Sequence, residues 1–211
     1  SESAAHEAPT PTPVGELPEK VSLSGSCKLL ETLVSRAGII AENRPAQRAD
    51  CPGELLLDDV VVIVTRGRTA RSESALRGGA PVVVVDRCIS AEDATGLAIA
   101  TSHPEALGAA AAVLGRAGIE AYQVADVPGL VVARTLAVIA NEAWETALHG
   151  VASPDDIDVA MKLGTNYPAG PFEWSRHWSS ATILELLDQL WSAYHDIRYR
   201  ASRQLRDDAG R

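Results

Sequence analysis

Two short apolar runs constrain this chain more than any other feature: Val60-Val61-Val62-Ile63-Val64-Thr65 and Val82-Val83-Val84-Val85-Asp86. Both are continuous and β-branched. A strand with one face in water alternates apolar and polar residues, and these do not, so each is expected to be buried on both faces of a parallel sheet. Joining two parallel strands requires a crossover, and the polar helical segment Thr69 to Leu76 supplies it. Leu97-Ala98-Ile99-Ala100 is expected to add a third strand. Pro104 opens an Ala-rich helix to Ala117, closed by Gly118, and Ile119 to Val124 gives a fourth strand. Upstream, Ser24 is placed to cap a helix from Cys27 through Val34, ending near Gly38, and residues 43–54, with Pro45 and Pro52-Gly53, are expected to be loop.

The periodicity changes after Pro128. Val131, Leu136, Ile139, Ala140, Ala143, Trp144 and Leu148 mostly recur at three and four residues, which predicts a helix with one broad apolar face, stopped at Gly150. Ser153-Pro154-Asp155-Asp156 is a helix start with a cap residue, a first-turn proline and acids against the dipole; that helix should run to Leu163 and stop at Gly164. Asn166 to Pro171 forms a rigid loop, followed by helices over Phe172 to His177 and Thr182 to about Gln204. The expected organisation is a flexible tail or linker over 1–19, a small Rossmann-like α/β domain over 20–125, a helical domain over 126–205 and a tail over 206–211. The first segment carries Pro9, Pro11, Pro13 and Pro18 and too little apolar surface to offset its ordering entropy.

A formal net charge of −9 argues against a nucleic-acid partner, since phosphates demand clustered Lys and Arg. Cys27, Cys51 and Cys88 are odd in number and lack CxxC spacing, so neither a metal centre nor a disulfide framework is expected, and a reducing cytoplasm fits. No apolar run approaches a membrane span, and the first residues lack the apolar core of a signal peptide. The chain does not begin with Met, which points to a fragment or a processed piece.

The chemistry is notable for its gaps. No G-x-G-x-x-G occurs; Ser22-Leu23-Ser24-Gly25-Ser26 is a weak echo, and Gly78-Gly79 precedes a strand where a phosphate loop would follow one. No G-x-S-x-G occurs either. Arg66, Arg68 and Arg71 cluster behind the first apolar strand, where α/β sheets bind ligands, and are the candidates for binding a phosphate-bearing substrate. His149, His177 and His195 stand alone on helices with no metal-ligand spacing. Trp174, Trp178 and Trp191 crowd the last two helices, where they pack against a neighbouring helix or form a subunit interface.

One long stretch speaks to family. Asp126-Val127-Pro128-Gly129-Leu130-Val131-Val132-Ala133-Arg134, then Asn141-Glu142-Ala143, then Gly150 through Trp174 with Asn166-Tyr167-Pro168-Ala169-Gly170-Pro171-Phe172-Glu173-Trp174, resembles the C-terminal domain of bacterial 3-hydroxyacyl-CoA dehydrogenases, including the phenylacetate-pathway type. The resemblance implies a reduced Rossmann-like α/β domain followed by an all-α, 6-phosphogluconate-dehydrogenase-like C-terminal helical domain. It implies NAD-dependent oxidation of 3-hydroxyacyl-CoA to 3-oxoacyl-CoA in fatty-acid or aromatic-acid degradation. It also implies a His base supported by a Glu, and a polar Asn in the D-x-P-G-F-x-x-N-R motif. In this chain that Asn position is Ala133, His103-Pro104 is the nearest approach to the histidine segment, and Thr65-Arg66-Gly67-Arg68-Thr69 replaces the Glu segment. We therefore expect no catalytic, NAD-binding or metal-binding residues here. The chain is expected to be the non-catalytic, dimerising C-terminal half, partnered by a second copy or by a segment or chain carrying the catalytic half. The alternatives are an acyl-CoA-binding or protein-interaction module on the same fold, and a true dehydrogenase with an unrecognised site around His103.

Overall fold

The computed structural model describes residues 10–46, 48 and 51–210. Seven strands form one mixed sheet: β1 (Val21–Gly25), β2 (Glu42–Arg44), β3 (Gly53–Leu57), β4 (Val60–Val64), β5 (Val82–Val85), β6 (Gly96–Thr101) and β7 (Glu120–Gln123), in the order β2-β1-β3-β4-β5-β6-β7. The two valine runs are β4 and β5. They pair in parallel, Val61 opposite Val82 through Val64 opposite Val85, and every residue of both is buried. Helix α1 (Lys28–Ala37) and helix α3 (Leu107–Arg116) cover one face through Leu30, Leu33, Ala110 and Leu114 against Val62, Val64, Val83 and Val85. Helix α2 (Ala70–Ala75) covers the other, with Ala70 against Val61, Ile63, Val82 and Val84. That two-sided cover is what a non-alternating strand demands.

Strand directions decide where chemistry is possible. β1, β2, β4 and β5 run one way; β3 is antiparallel to both its neighbours, β6 is antiparallel to β5, and β7 follows β6. The expected loop over 43–54 is thus part sheet. β3 is inserted between β1 and β4, which keeps those two parallel while separating them. Ser24 is not a helix cap: it lies in β1 and its hydroxyl donates to the Pro45 carbonyl, 3.0 Å away. Helix α1 starts at Lys28, with the Glu31 carboxylate accepting from the Cys27 N–H at 3.0 Å and the Ser26 hydroxyl at 2.8 Å.

Residues 10–19 of the expected tail run as extended backbone along the sheet's far edge, with Thr12 donating its N–H to the Ala121 carbonyl at 2.6 Å and Gly15 to the Gly108 carbonyl at 3.2 Å. The rest of that segment lies outside the described residues.

Five helices follow: α4 (Val132–Leu148), α5 (Pro154–Thr165), α6 (Pro171–Trp178), α7 (Ser180–Tyr194) and α8 (Arg203–Ala209). The expected helix from Thr182 to about Gln204 breaks at His195, which takes a left-handed conformation and ends α7. Chain reversal there lets α8 pack on α7, so the expected tail over 206–211 is largely helix. Ala133, Ala137 and Ala140 of α4 meet Trp178, Ile183, Leu186 and Leu187 in the helical core.

The Asn166–Trp174 loop is held by a carboxylate. Asp158 of α5 is buried and accepts from the Phe172 and Glu173 N–H groups at 2.8 and 3.1 Å, capping α6. A Cβ at Gly170 would lie 2.3 Å from the Asp158 Oδ1. Gly170→Ala should therefore cost at least about 2 kcal/mol of stability, because backbone or cap must move. Gly38, left-handed with open space around it, should tolerate Ala for only about 1 kcal/mol. Urea unfolding of both variants checks the ranking.

Candidate functional site

In open α/β sheets ligands bind outside the carboxyl ends of the parallel strands. Here that edge presents Ser26-Cys27 after β1, Thr65 to Arg68 after β4 and Asp86-Arg87-Cys88 after β5. The helical domain is seated on it.

The principal contact is Asp86. Its fully buried carboxylate accepts four backbone N–H groups: Arg87 at 2.8 Å, Val131 at 3.0 Å, Val132 at 2.7 Å and Ala133 at 3.0 Å. Three of these are the unsatisfied donors at the start of α4, which has no capping side chain of its own. Burial raises the Asp86 carboxyl above its ordinary value, and the four N–H groups, by stabilising the anion, oppose that rise.

Further joints surround it. Arg66 forms a two-pronged ion pair with Glu185 of α7, its Nε 2.8 Å from Oε1. Trp178 of α6 donates its indole N–H to the Cys88 carbonyl at 3.0 Å, and the Arg87 guanidinium lies 5.6 Å from the centre of its ring. Gly67 has φ +111°, and a Cβ there would come 2.5 Å from the Gln189 Cβ of α7, so only glycine allows this approach.

The motif residues serve the same joint. Asp126 accepts from the Ala70 and Arg71 N–H groups at 2.6 and 3.0 Å and caps α2. Gly129 and Leu130 turn the chain with positive φ, and Arg134 clamps the turn through the Pro128 carbonyl, with Nε at 3.0 Å, while lying over the Tyr194 ring. Ala133 is completely buried in the helical core. Its methyl side chain offers no polar group.

A separate cavity of about 520 Å³ opens behind β4 beside Gly67, Arg68, Thr69, Pro128 and Gln189, while between the ends of β1 and β5 the crevice narrows to a cavity of about 160 Å³, lined by residues that include Cys27, Lys28, Arg87, Cys88, His177 and Trp178. A drug-sized ligand needs roughly 300–1,000 Å³. The N–H at the start of α1, which would face a pyrophosphate, is bonded to the carboxylate of Glu31. A dinucleotide does not fit these residues.

The other sequence candidates are dispersed. His103 follows β6, whose last residues pair with the start of β5, so it lies at the opposite edge of the sheet from Asp86; its Nδ1 is 2.8 Å from the Ser102 hydroxyl. Strand direction therefore removes it from the crevice. Arg68 lies 3.6 Å from Glu73, and Arg71 is exposed on α2, so Arg66, Arg68 and Arg71 point to three different surroundings. His149 is an exposed neighbour of Glu145 and His195 lies against Trp191. Trp174 and Trp178 are buried within the chain, and the half-exposed Trp191 alone of the three presents a ring face outward. Burial pushes the Cys51 and Cys88 thiols up to about 11, which argues against nucleophilic use. Among the described residues no group of His, Cys, Asp or Glu side chains has the arrangement of a metal site, and no helix is long and apolar enough to cross a membrane. Arg87 and Asp86 escaped the sequence reading; their signal was a charge pair closing an otherwise apolar strand.

Comparison with known proteins agrees with this architecture. Residues 62–128 match the family model described as 3-hydroxybutyryl-CoA dehydrogenase reduced Rossmann-fold domain, and residues 129–209 match the one described as 3-hydroxyacyl-CoA dehydrogenase, C-terminal domain. The chain belongs to the 3-hydroxyacyl-CoA dehydrogenase family. The 3-hydroxyadipyl-CoA dehydrogenase of Escherichia coli K12 is 41% identical over 153 residues, 72% of this chain and 32% of that protein. A probable 3-hydroxybutyryl-CoA dehydrogenase of Bacillus subtilis is 38% identical over 51% of this chain and 37% of its own. A crystal structure of 3-hydroxybutyryl-CoA dehydrogenase from Escherichia coli K12 superposes with a TM-score of 0.76 and 32% identity, covering 98% of this chain and 38% of that one. The chain thus spans about a third of the length of these relatives.

Restoring the motif's polar residue should cost stability without restoring chemistry. Ala133→Asn would bury an amide among Ala137, Trp178 and Leu186, a loss of about 2–4 kcal/mol, measurable by denaturant unfolding.

Proposed function

We propose that this chain is the non-catalytic C-terminal half of a 3-hydroxyacyl-CoA dehydrogenase, which positions and completes an active site carried by another segment or chain. The observation that carries this reading is Ala133: the position where the motif has a polar residue is sealed in the core, with its N–H spent on Asp86. The crevice beside it is taken up by Trp178 and Glu185 of the same chain. In the complete enzyme NAD and the acyl-CoA are held by the other half, in the cytoplasm.

The face offered to that half is an apolar groove of about 460 Å³ between α4 and α5, with Ile139, Ala143, Ile157, Ala160 and Met161 in its walls. Val159 and Leu163 are also exposed on α5. An apolar groove of this kind on a small domain is what an interface core requires. The occupant we assign is a homologous helical domain, that of the catalytic half in the assembled enzyme or of a second copy when the chain is alone. The two-thirds of the relatives' length that lies beyond this chain supports that choice.

The isolated chain, mixed with NADH and acetoacetyl-CoA, is expected to show no turnover; rates comparable to a family enzyme would overturn the reading. Sedimentation equilibrium at micromolar concentration should report at least twice the chain mass, and Met161→Glu should return it to a monomer. A wild-type monomer at tens of micromolar would remove the proposed interface and with it the scaffold role.

A further inference from the structure

The joint between sheet and helices leaves one charge unanswered. The Arg87 guanidinium is partly buried, and its only hydrogen bond among the described residues is Nε to the Thr65 carbonyl, 3.0 Å. No carboxylate of the described residues pairs with it. Neighbouring Asp86 is committed to backbone N–H groups and neighbouring Glu185 to Arg66. Burial pulls Arg87 below the ordinary arginine value, and nearby Glu185 and Asp86 oppose that fall. Buried cations are normally paired, because removing an unpaired charge from water costs several kcal/mol.

The surroundings indicate what the missing partner is. Arg87 lines the cavity of about 160 Å³ at the carboxyl ends of β1, β4 and β5, together with Lys28, His177 and Trp178. Lys28 and His177 are exposed and stand at the mouth; Glu92 is the one acid in the wall and is 3.6 Å from Lys28. The Trp178 ring lies beside the guanidinium, its centre 5.6 Å from Cζ. The walls therefore combine a planar donor fork, two further basic side chains and one aromatic ring. The volume suits a group of four or five heavy atoms and excludes a nucleotide.

We propose that this cavity is a binding site for a small oxyanion of the phosphate class, held by Arg87 in a forked hydrogen bond and steered in by Lys28 and His177. The anion bridges the sheet to α6, so binding should stiffen the joint at Trp178. The inference is independent of the scaffold role: the site can be present whether or not the chain dimerises.

Titrating inorganic phosphate into the full chain in a sulfate-free buffer of constant ionic strength, with the Trp178 indole N–H followed by NMR, tests it. Saturable shifts of that resonance are expected, with a dissociation constant on the order of 1 mM. Chloride at equal ionic strength should give none. Arg87→Gln should abolish binding. Because Arg87 also holds the Thr65 carbonyl and so contributes to the joint itself, the exposed pair Lys28→Gln and His177→Gln provides a second handle and should weaken binding at least fivefold while leaving the fold intact. Coenzyme A and its 3′-dephospho form separate the sources: tighter binding of coenzyme A, lost on removal of the 3′-phosphate, assigns the anion to the end of a larger ligand, and binding no tighter than phosphate assigns it to the free ion. No movement of the Trp178 resonance at 20 mM phosphate, or phosphate binding undiminished in Arg87→Gln, would falsify the site.

Discussion

The carboxylate of Asp86 follows β5 and caps the first long helix of the second domain. Four backbone N–H groups converge on it, three of them from α4, which no residue of its own sequence caps. A helix start buried without acceptors leaves each donor unpaired at a cost of about 1–3 kcal/mol. Once Asp86 fills that role, the direction of α4, the burial of Ala133 and the seating of α6 and α7 against the strand ends are fixed in turn.

This use of the strand ends restricts their usual one. The carboxyl edge of a doubly wound sheet is where a dinucleotide or substrate lies, and here Glu185, Gln189 and Trp178 of the helical domain occupy it. The same aspartate-to-N–H device recurs at α2 through Asp126 and at α6 through Asp158. These acidic residues are thus structural, alone at the start of α4 and alongside the local Thr69 and Glu173 caps at α2 and α6. In the Asp126–Arg134 segment Gly129, Leu130 and Arg134 form the turn and its clamp, and Ala133 packs in the helical core.

Much of this was legible in the residues. Non-alternating valines gave β4 and β5 and their parallel pairing, and Ser153-Pro154 gave the start of α5, because those signals are local. The long Asp126–Trp174 match gave the family. Strand β3 was missed because Pro52-Gly53 marks a turn and the three leucines after it are too few to show a period. The break after Tyr194 was missed because His195 is not a residue type that announces a left-handed turn. Of the site, the missing groups were readable and the present ones were not. Arg66, Arg68 and Arg71 look alike along the chain, yet tertiary contacts give Arg66 to Glu185 and leave Arg87, unnoticed in sequence, as the one facing the cavity. Caps supplied across forty-five residues, as Asp86 supplies α4, leave no local trace.

The claim on which the account rests is that Asp86 locks the two domains into one cooperative unit. Differential scanning calorimetry of Asp86→Asn tests it, since the amide keeps the size but replaces one acceptor oxygen with a donor. The loss should be about 2–4 kcal/mol, lowering Tm by about 5–15 °C and splitting the endotherm as the helical domain separates from the sheet. A single transition at the wild-type Tm would show that the joint is held elsewhere and would contradict the account.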